Sequence, residues 1–162
     1  MLCKKLIGVI IIAALVLAGA AFYFFYSGRN AEKIPVLQIR SADTGKIYGK
    51  WLLNTTNEFA IEFIHSVNQS PVHEKFRVSG KMIYPAEVRF SSFGAGMQSD
   101  LEQGHTISRD NDTMIISGEY APHTELNYIV GTVSDHLLFI NDQVISLREL
   151  CGQNTRIIIH IK

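Results

Sequence analysis

Hydrophobic and polar positions divide this chain into two regimes. From Leu6 to Tyr26 it runs uncharged and mostly apolar, with Lys4 and Lys5 in front and Arg29 behind; after residue 33, short β-patterned runs alternate with turn residues. Those 21 residues would make roughly 31 Å of helix, the thickness of a bilayer's hydrocarbon core. The expectation is a signal anchor: residues 1–5 cytoplasmic, 6–26 a transmembrane helix in the membrane lipid, 27–33 a polar linker, and 34–162 an extracytoplasmic domain. A cleaved signal peptide is the alternative, because Ala18-Gly19-Ala20 has the small residues of a cleavage site. The run continues past it into Phe22-Tyr23-Phe24-Phe25-Tyr26, an aromatic cluster suited to the membrane–water interface, and this favours the uncleaved anchor.

Beyond the linker, strands are expected at Pro35–Arg40, Lys46–Leu53, Glu58–Ser66, Val72–Val78, Glu87–Phe93, Met114–Tyr120, Asn127–Thr132, His136–Ile140, Val144–Arg148 and Arg156–Ile161. Asp43-Thr44-Gly45, Asn54–Asn57, Ser79-Gly80 and Asn141-Asp142 punctuate them as turns. No window of ten residues has helical apolar spacing. About eight to ten short antiparallel strands predict an all-β domain, a β-sandwich or partly closed barrel.

One hairpin can be specified further. Phe59, Ile61, Phe63 and His65 share a face of one strand, and Glu74, Phe76 and Val78 share a face of the next. If Val67 opposes Val72 across Asn68–Pro71, then Phe63 meets Phe76, Ile61 meets Val78 and His65 meets Glu74; on the other face Glu62 meets Arg77 and Ser66 meets His73.

Composition narrows the function. Four of the fifteen Lys and Arg and one of the fifteen acids precede residue 34, so the outer domain carries eleven positive and fourteen negative charges, net about −3. It has no basic stripe, and nucleic acid is not an expected partner. Cys3 and Cys151 would lie on opposite sides of the membrane and cannot pair within one chain.

The expected His65–Glu74 neighbours could form a poised acid–base pair or part of a ligand pocket, or a structural ion pair closing the core. A serine hydrolase is disfavoured: Ser66 follows His65 directly and so points to the opposite face, and no acid stands behind His73. The six histidines, at 65, 73, 105, 123, 136 and 160, form no recognised ligand motif, so no metal or cofactor is expected. In Phe90-Ser91-Ser92-Phe93-Gly94-Ala95-Gly96 two glycines let the backbone bend or present N–H groups to an anion.

At these two segments the chain resembles the prokaryotic family called domain of unknown function 1850. The likeness rests on Phe63-Ile64-His65-Ser66-Val67, Ser70-Pro71-Val72-His73-Glu74-Lys75-Phe76 and Phe90-Ser91-Ser92-Phe93-Gly94-Ala95-Gly96, and extends through Leu137–Ile140 and Arg156–Ile161. Met97-Gln98 departs from it, standing where Leu-Pro is expected. The resemblance implies a small exported domain behind a signal or anchor, encoded beside fused TRAP-type permeases and TAXI-type solute-binding proteins, with no established activity. It carries over His65, Ser66, Pro71, Glu74, Ser92, Gly94 and Gly96 as ligand or partner contacts. The function expected is that of an accessory module assisting a TRAP-type transporter by docking on the permease or its binding protein. A small-anion or metal-binding exported domain is the alternative, and an exported hydrolase ranks third.

Overall fold

The computed structural model describes residues 17–22, 34–54, 56–66, 69–91, 104–118 and 120–162. Residues 17–22 are helical, and the rest of the Leu6–Tyr26 run lies outside the described residues. Among the described residues no helix is long and apolar enough to cross a membrane.

Residues 34–162 form a unit of their own. Its strands are β1 Val36–Ser41, β2 Ile47–Leu52, β3 Glu58–Ile64, β4 Pro71–Ser79, β5 Met82–Phe90, β6 Thr106–Asp110, β7 Thr113–Ser117, β8 Glu125–Ile129, β9 His136–Ile140, β10 Gln143–Ser146 and β11 Arg156–Ile161, with a short helix Leu147–Cys151 between the last two. They make two antiparallel sheets, one ordered β2-β1-β11-β8 and the other β10-β9-β3-β4-β5-β7-β6. Among the described residues neither sheet closes on itself, so the architecture is the sandwich and not the barrel.

The reason is ordinary alternation. Leu37, Ile39, Ile157, Ile159 and Ile161 point inward from the small sheet; Phe59, Ile61, Phe76, Val78, Leu138 and Ile140 point inward from the large one, and all belong to one buried cluster. A second cluster of Val72, Phe90 and Ile116 lies farther along the large sheet. The turns follow the expected residues. Gly45 and Gly80 adopt left-handed backbone with φ of 72° and 58°, and Asn141 and Asp142 do so in succession at 49° and 61°.

Four local expectations require correction. β5 begins at Met82, five residues before the expected Glu87, because Pro85 sits at a bulge: Lys75 pairs Glu87 but Phe76 pairs Pro85. β6 was not anticipated at all; it is an edge strand exposed at every position. The expected Val144–Arg148 strand ends at Ser146, whose hydroxyl accepts the Glu149 N–H at 3.0 Å and starts the short helix.

The fourth concerns the β3–β4 register. Phe59, not Phe63, meets Phe76, Ile61 meets Glu74, Glu62 meets His73, Glu58 meets Arg77 and Phe63 meets Val72. The loop is set two residues earlier than expected: His65 N–H donates to the Ser70 carbonyl at 2.9 Å, and Gln69 takes the left-handed φ of 51° needed to turn there. Because the slip is even, every side chain keeps its face and only its partner changes.

Candidate functional site

Correcting the register separates the expected His65–Glu74 pair. His65 is the first residue beyond β3 and starts the loop, whereas Glu74 lies at the fourth position of β4 and faces inward opposite Ile61. A carboxylate set between Ile61 and Val88 in the register needs a donor, and it comes from the other sheet. The Tyr128 hydroxyl, on edge strand β8, donates to Glu74 Oε2 at 2.6 Å. Burial pushes the Glu74 carboxyl above its usual range, while the Tyr128 hydrogen bond pulls it down. The Tyr128 phenol is driven far upward by burial, then by the neighbouring carboxylate's charge and hydrogen bond. Tyr128 therefore stays protonated, a fixed donor joining the two sheets.

His136, at the start of β9, adjoins this pair. Its ring stacks on Phe63 at 5.2 Å between centroids and meets Tyr128 edge-on at 5.9 Å. Nδ1 accepts the Gly131 N–H at 3.1 Å, which places the proton of the neutral ring on Nε2. Burial lowers the His136 pKa, with Asp135 opposing the shift and Arg148 adding to it. Gly131 is the pivot of this loop. A Cβ there would stand 2.2 Å from the Ser134 carbonyl oxygen, while the Gly131 carbonyl accepts Arg148 Nη2 at 3.1 Å. Asp135 completes the frame by accepting the Arg148 N–H at 3.0 Å and the Ser146 hydroxyl.

The opposite, outward face of the large sheet carries a cleft of about 290 Å³ lined by Glu62, Pro71, His73, Arg89, Phe90, Ser91 and Thr113. Its charges are paired: His73 Nδ1 lies 3.2 Å from Glu62 Oε2, and Arg89 Nε bonds Glu87 Oε1. The β4–β5 register puts Val72 opposite Phe90, so the root of the β3–β4 loop and Ser91 come together at one end of the sheet.

Of the residues carried over from the resemblance, Pro71 lines this cleft as the first residue of β4. Ser66 lies exposed in the adjoining loop, its carbonyl accepting Gln69 Nε2 at 2.6 Å. His65 is half-buried beside it. Glu74 belongs to the interior network instead. Ser92, Gly94 and Gly96 lie outside the described residues, following Ser91 in sequence. The facing Ser66–His73 pair is not formed, since His73 opposes Glu62. Among the described residues no three His, Cys, Asp or Glu converge to hold a metal. Cys151 is half-buried and free, its thiol pushed up to about 11 by burial, with Lys46 opposing.

Sequence reasoning missed Tyr128 and His136. A signal existed for the first: Leu126 and Tyr128 alternate inward on β8, and Glu74 on an apolar face demands a partner.

No curated protein and no solved structure matches the chain. A family model does, over residues 59–147, from within β3 to the start of the short helix. These are more than half of the 162 residues, and the chain belongs to the family described as Domain of unknown function (DUF1850).

Proposed function

We propose that this protein is a membrane-tethered, extracytoplasmic interaction module that docks on a TRAP-type permease or its TAXI-type solute-binding protein and assists solute uptake. Residues 6–26 would hold it in the membrane, with residues 1–5 cytoplasmic and the β-sandwich outside. One observation carries the docking reading: Pro71 and Ser91 share a cleft at one end of the large sheet. This gathers the β3–β4 loop, with His65 and Ser66, beside the point from which Ser92–Gly96 departs. A loop at the end of a sheet is a usual place for partner recognition. The permease as partner comes from the family resemblance.

A small anion at the same cleft is less well served, because Arg89 and His73 are already engaged by Glu87 and Glu62. A hydrolase loses the facing Ser66–His73 pair that would have motivated it.

The test is co-purification of the full chain with the permease from detergent. His65→Ala, Gly94→Val and Ser91→Trp should each cut recovery severalfold. Recovery indifferent to all three, and to removal of residues 34–162, defeats the proposal.

A further inference from the structure

At the other end of the large sheet lies a roomier cavity, of about 580 Å³, bounded by the lower β4–β5 hairpin and the segment after β7. Arg77, Tyr84, Pro85, Tyr120 and Pro122 dominate its walls. Two features hold the walls in place. Arg77 opposes Tyr84 in the strand register, and residues 120–123 are pinned to β5 by reciprocal backbone hydrogen bonds of 2.8 Å between Ile83 and His123. Tyr120 is further fixed by stacking on the His105 ring at 3.9 Å.

Arg77 is unusual among the described arginines. Arg40, Arg89, Arg109 and Arg156 each bond a carboxylate, and Arg148 bonds a backbone carbonyl. Among the described residues Arg77 has no such acceptor, although Glu58 stands directly across from it in the register, because Glu58 bonds Lys75 at 2.8 Å instead. An uncommitted guanidinium presents a planar fork of donors that matches a carboxylate. Tyrosine and proline surfaces around it suit an aromatic or other flat apolar body. The volume lies within the range of small-molecule sites.

We propose that this cavity binds a small carboxylic acid with an aromatic or flat apolar body, its carboxylate held by Arg77 and its body lying between Tyr84 and Tyr120. The proposal is independent of the docking reading, since it concerns different residues at the opposite end of the sheet.

The experiment is calorimetric titration of the full chain, in detergent, with phenylacetate, and with benzyl alcohol as the uncharged counterpart. Phenylacetate should bind, and Arg77→Gln should weaken it about tenfold or more, the effect of losing a charge-assisted hydrogen-bonded pair. Ala121→Trp, which adds bulk at a second lining position, should abolish binding. Both positions are exposed, so neither variant should disturb folding. Absence of phenylacetate binding to the unmodified chain, affinity unchanged in Arg77→Gln or in Ala121→Trp, or equal affinity for benzyl alcohol each overturns the proposal.

Discussion

The four-stranded sheet faces the core with Leu37, Ile39, Ile157, Ile159 and Ile161, each at most 4% exposed. The inner face of the seven-stranded sheet breaks its aliphatic rows with Glu74 and His136, and its outer face carries the Glu62–His73, Glu58–Lys75 and Glu87–Arg89 pairs. The family match follows the same division. It spans the strands of the large sheet together with β8, and leaves β1, β2 and β11 outside. The difference teaches that the polar sheet is the part the family describes, whereas β1, β2 and β11 serve as its apolar cover. Only β8 belongs to both descriptions, and it supplies Tyr128 to Glu74.

The strongest way to break this contrast is to damage the cover. Ile159 is fully buried, and Ile159→Ala should lower the unfolding free energy by about 2–5 kcal/mol through lost transfer energy and the cavity left behind. Trp51, the single tryptophan, lies on β2 and reports denaturant unfolding by fluorescence. A loss under about 1 kcal/mol would mean that the small sheet is dispensable to the core.

A smaller effect, about 1–3 kcal/mol, is expected from Tyr128→Phe, which leaves the Glu74 carboxyl without its donor. Its pH dependence sharpens the comparison. Glu74 titrates above its ordinary 4.5 in the folded protein, so its contribution to stability is fully present below that value and is lost as pH rises through the folded pKa. Removing the Tyr128 hydroxyl lifts that pKa further, and the cost of Tyr128→Phe should therefore grow as pH rises from 4.5. His136 acts in the reverse sense. Its depressed pKa contributes stability that is present above 6.5 and lost as pH falls through the folded value. Unfolding measured across pH 4 to 8 should show His136→Phe flattening the acid side and Glu74→Gln removing the loss toward neutral pH. A pH-independent Tyr128→Phe effect would detach the hydroxyl from the carboxylate.

The smallest effect belongs to the outer face. Lys75 and Glu58 pair at 2.8 Å with side chains 40% and 30% exposed, and solvent screens them. Lys75→Gln should cost less than about 1 kcal/mol and should become undetectable in about 0.5 M salt. A larger, salt-insensitive loss would make the outer face a structural element in its own right.

Much of the sandwich was legible where aliphatic residues cluster: β9 and β11 fall at their expected limits, His136–Ile140 and Arg156–Ile161. β6 was not, because Thr106–Asp110 has only Ile107 among polar residues and buries none of them. The short helix is five residues long, too brief for a helical period, although Ser146 and Glu149 stand at capping-box spacing. For the β3–β4 hairpin, alternation fixes faces but cannot distinguish registers that differ by an even slip. The choice was made by backbone details, His65 bonding Ser70 and Gln69 turning left-handed. That slip also removed the expected His65–Glu74 pairing, since Glu74 opposes Ile61. The Tyr128–Glu74 contact spans 54 residues and two sheets, beyond the reach of any local pattern.

The first and last strands of the domain lie side by side, with Leu37 opposite Ile161 and the Lys162 N–H donating to the Val36 carbonyl at 3.0 Å. Such adjacency makes the domain a natural subject for circular permutation. A few linking residues could splice Lys162 to Ile34, and new ends could be opened at the exposed Ser79–Lys81 turn while the backbone ladder between β1 and β11 is kept.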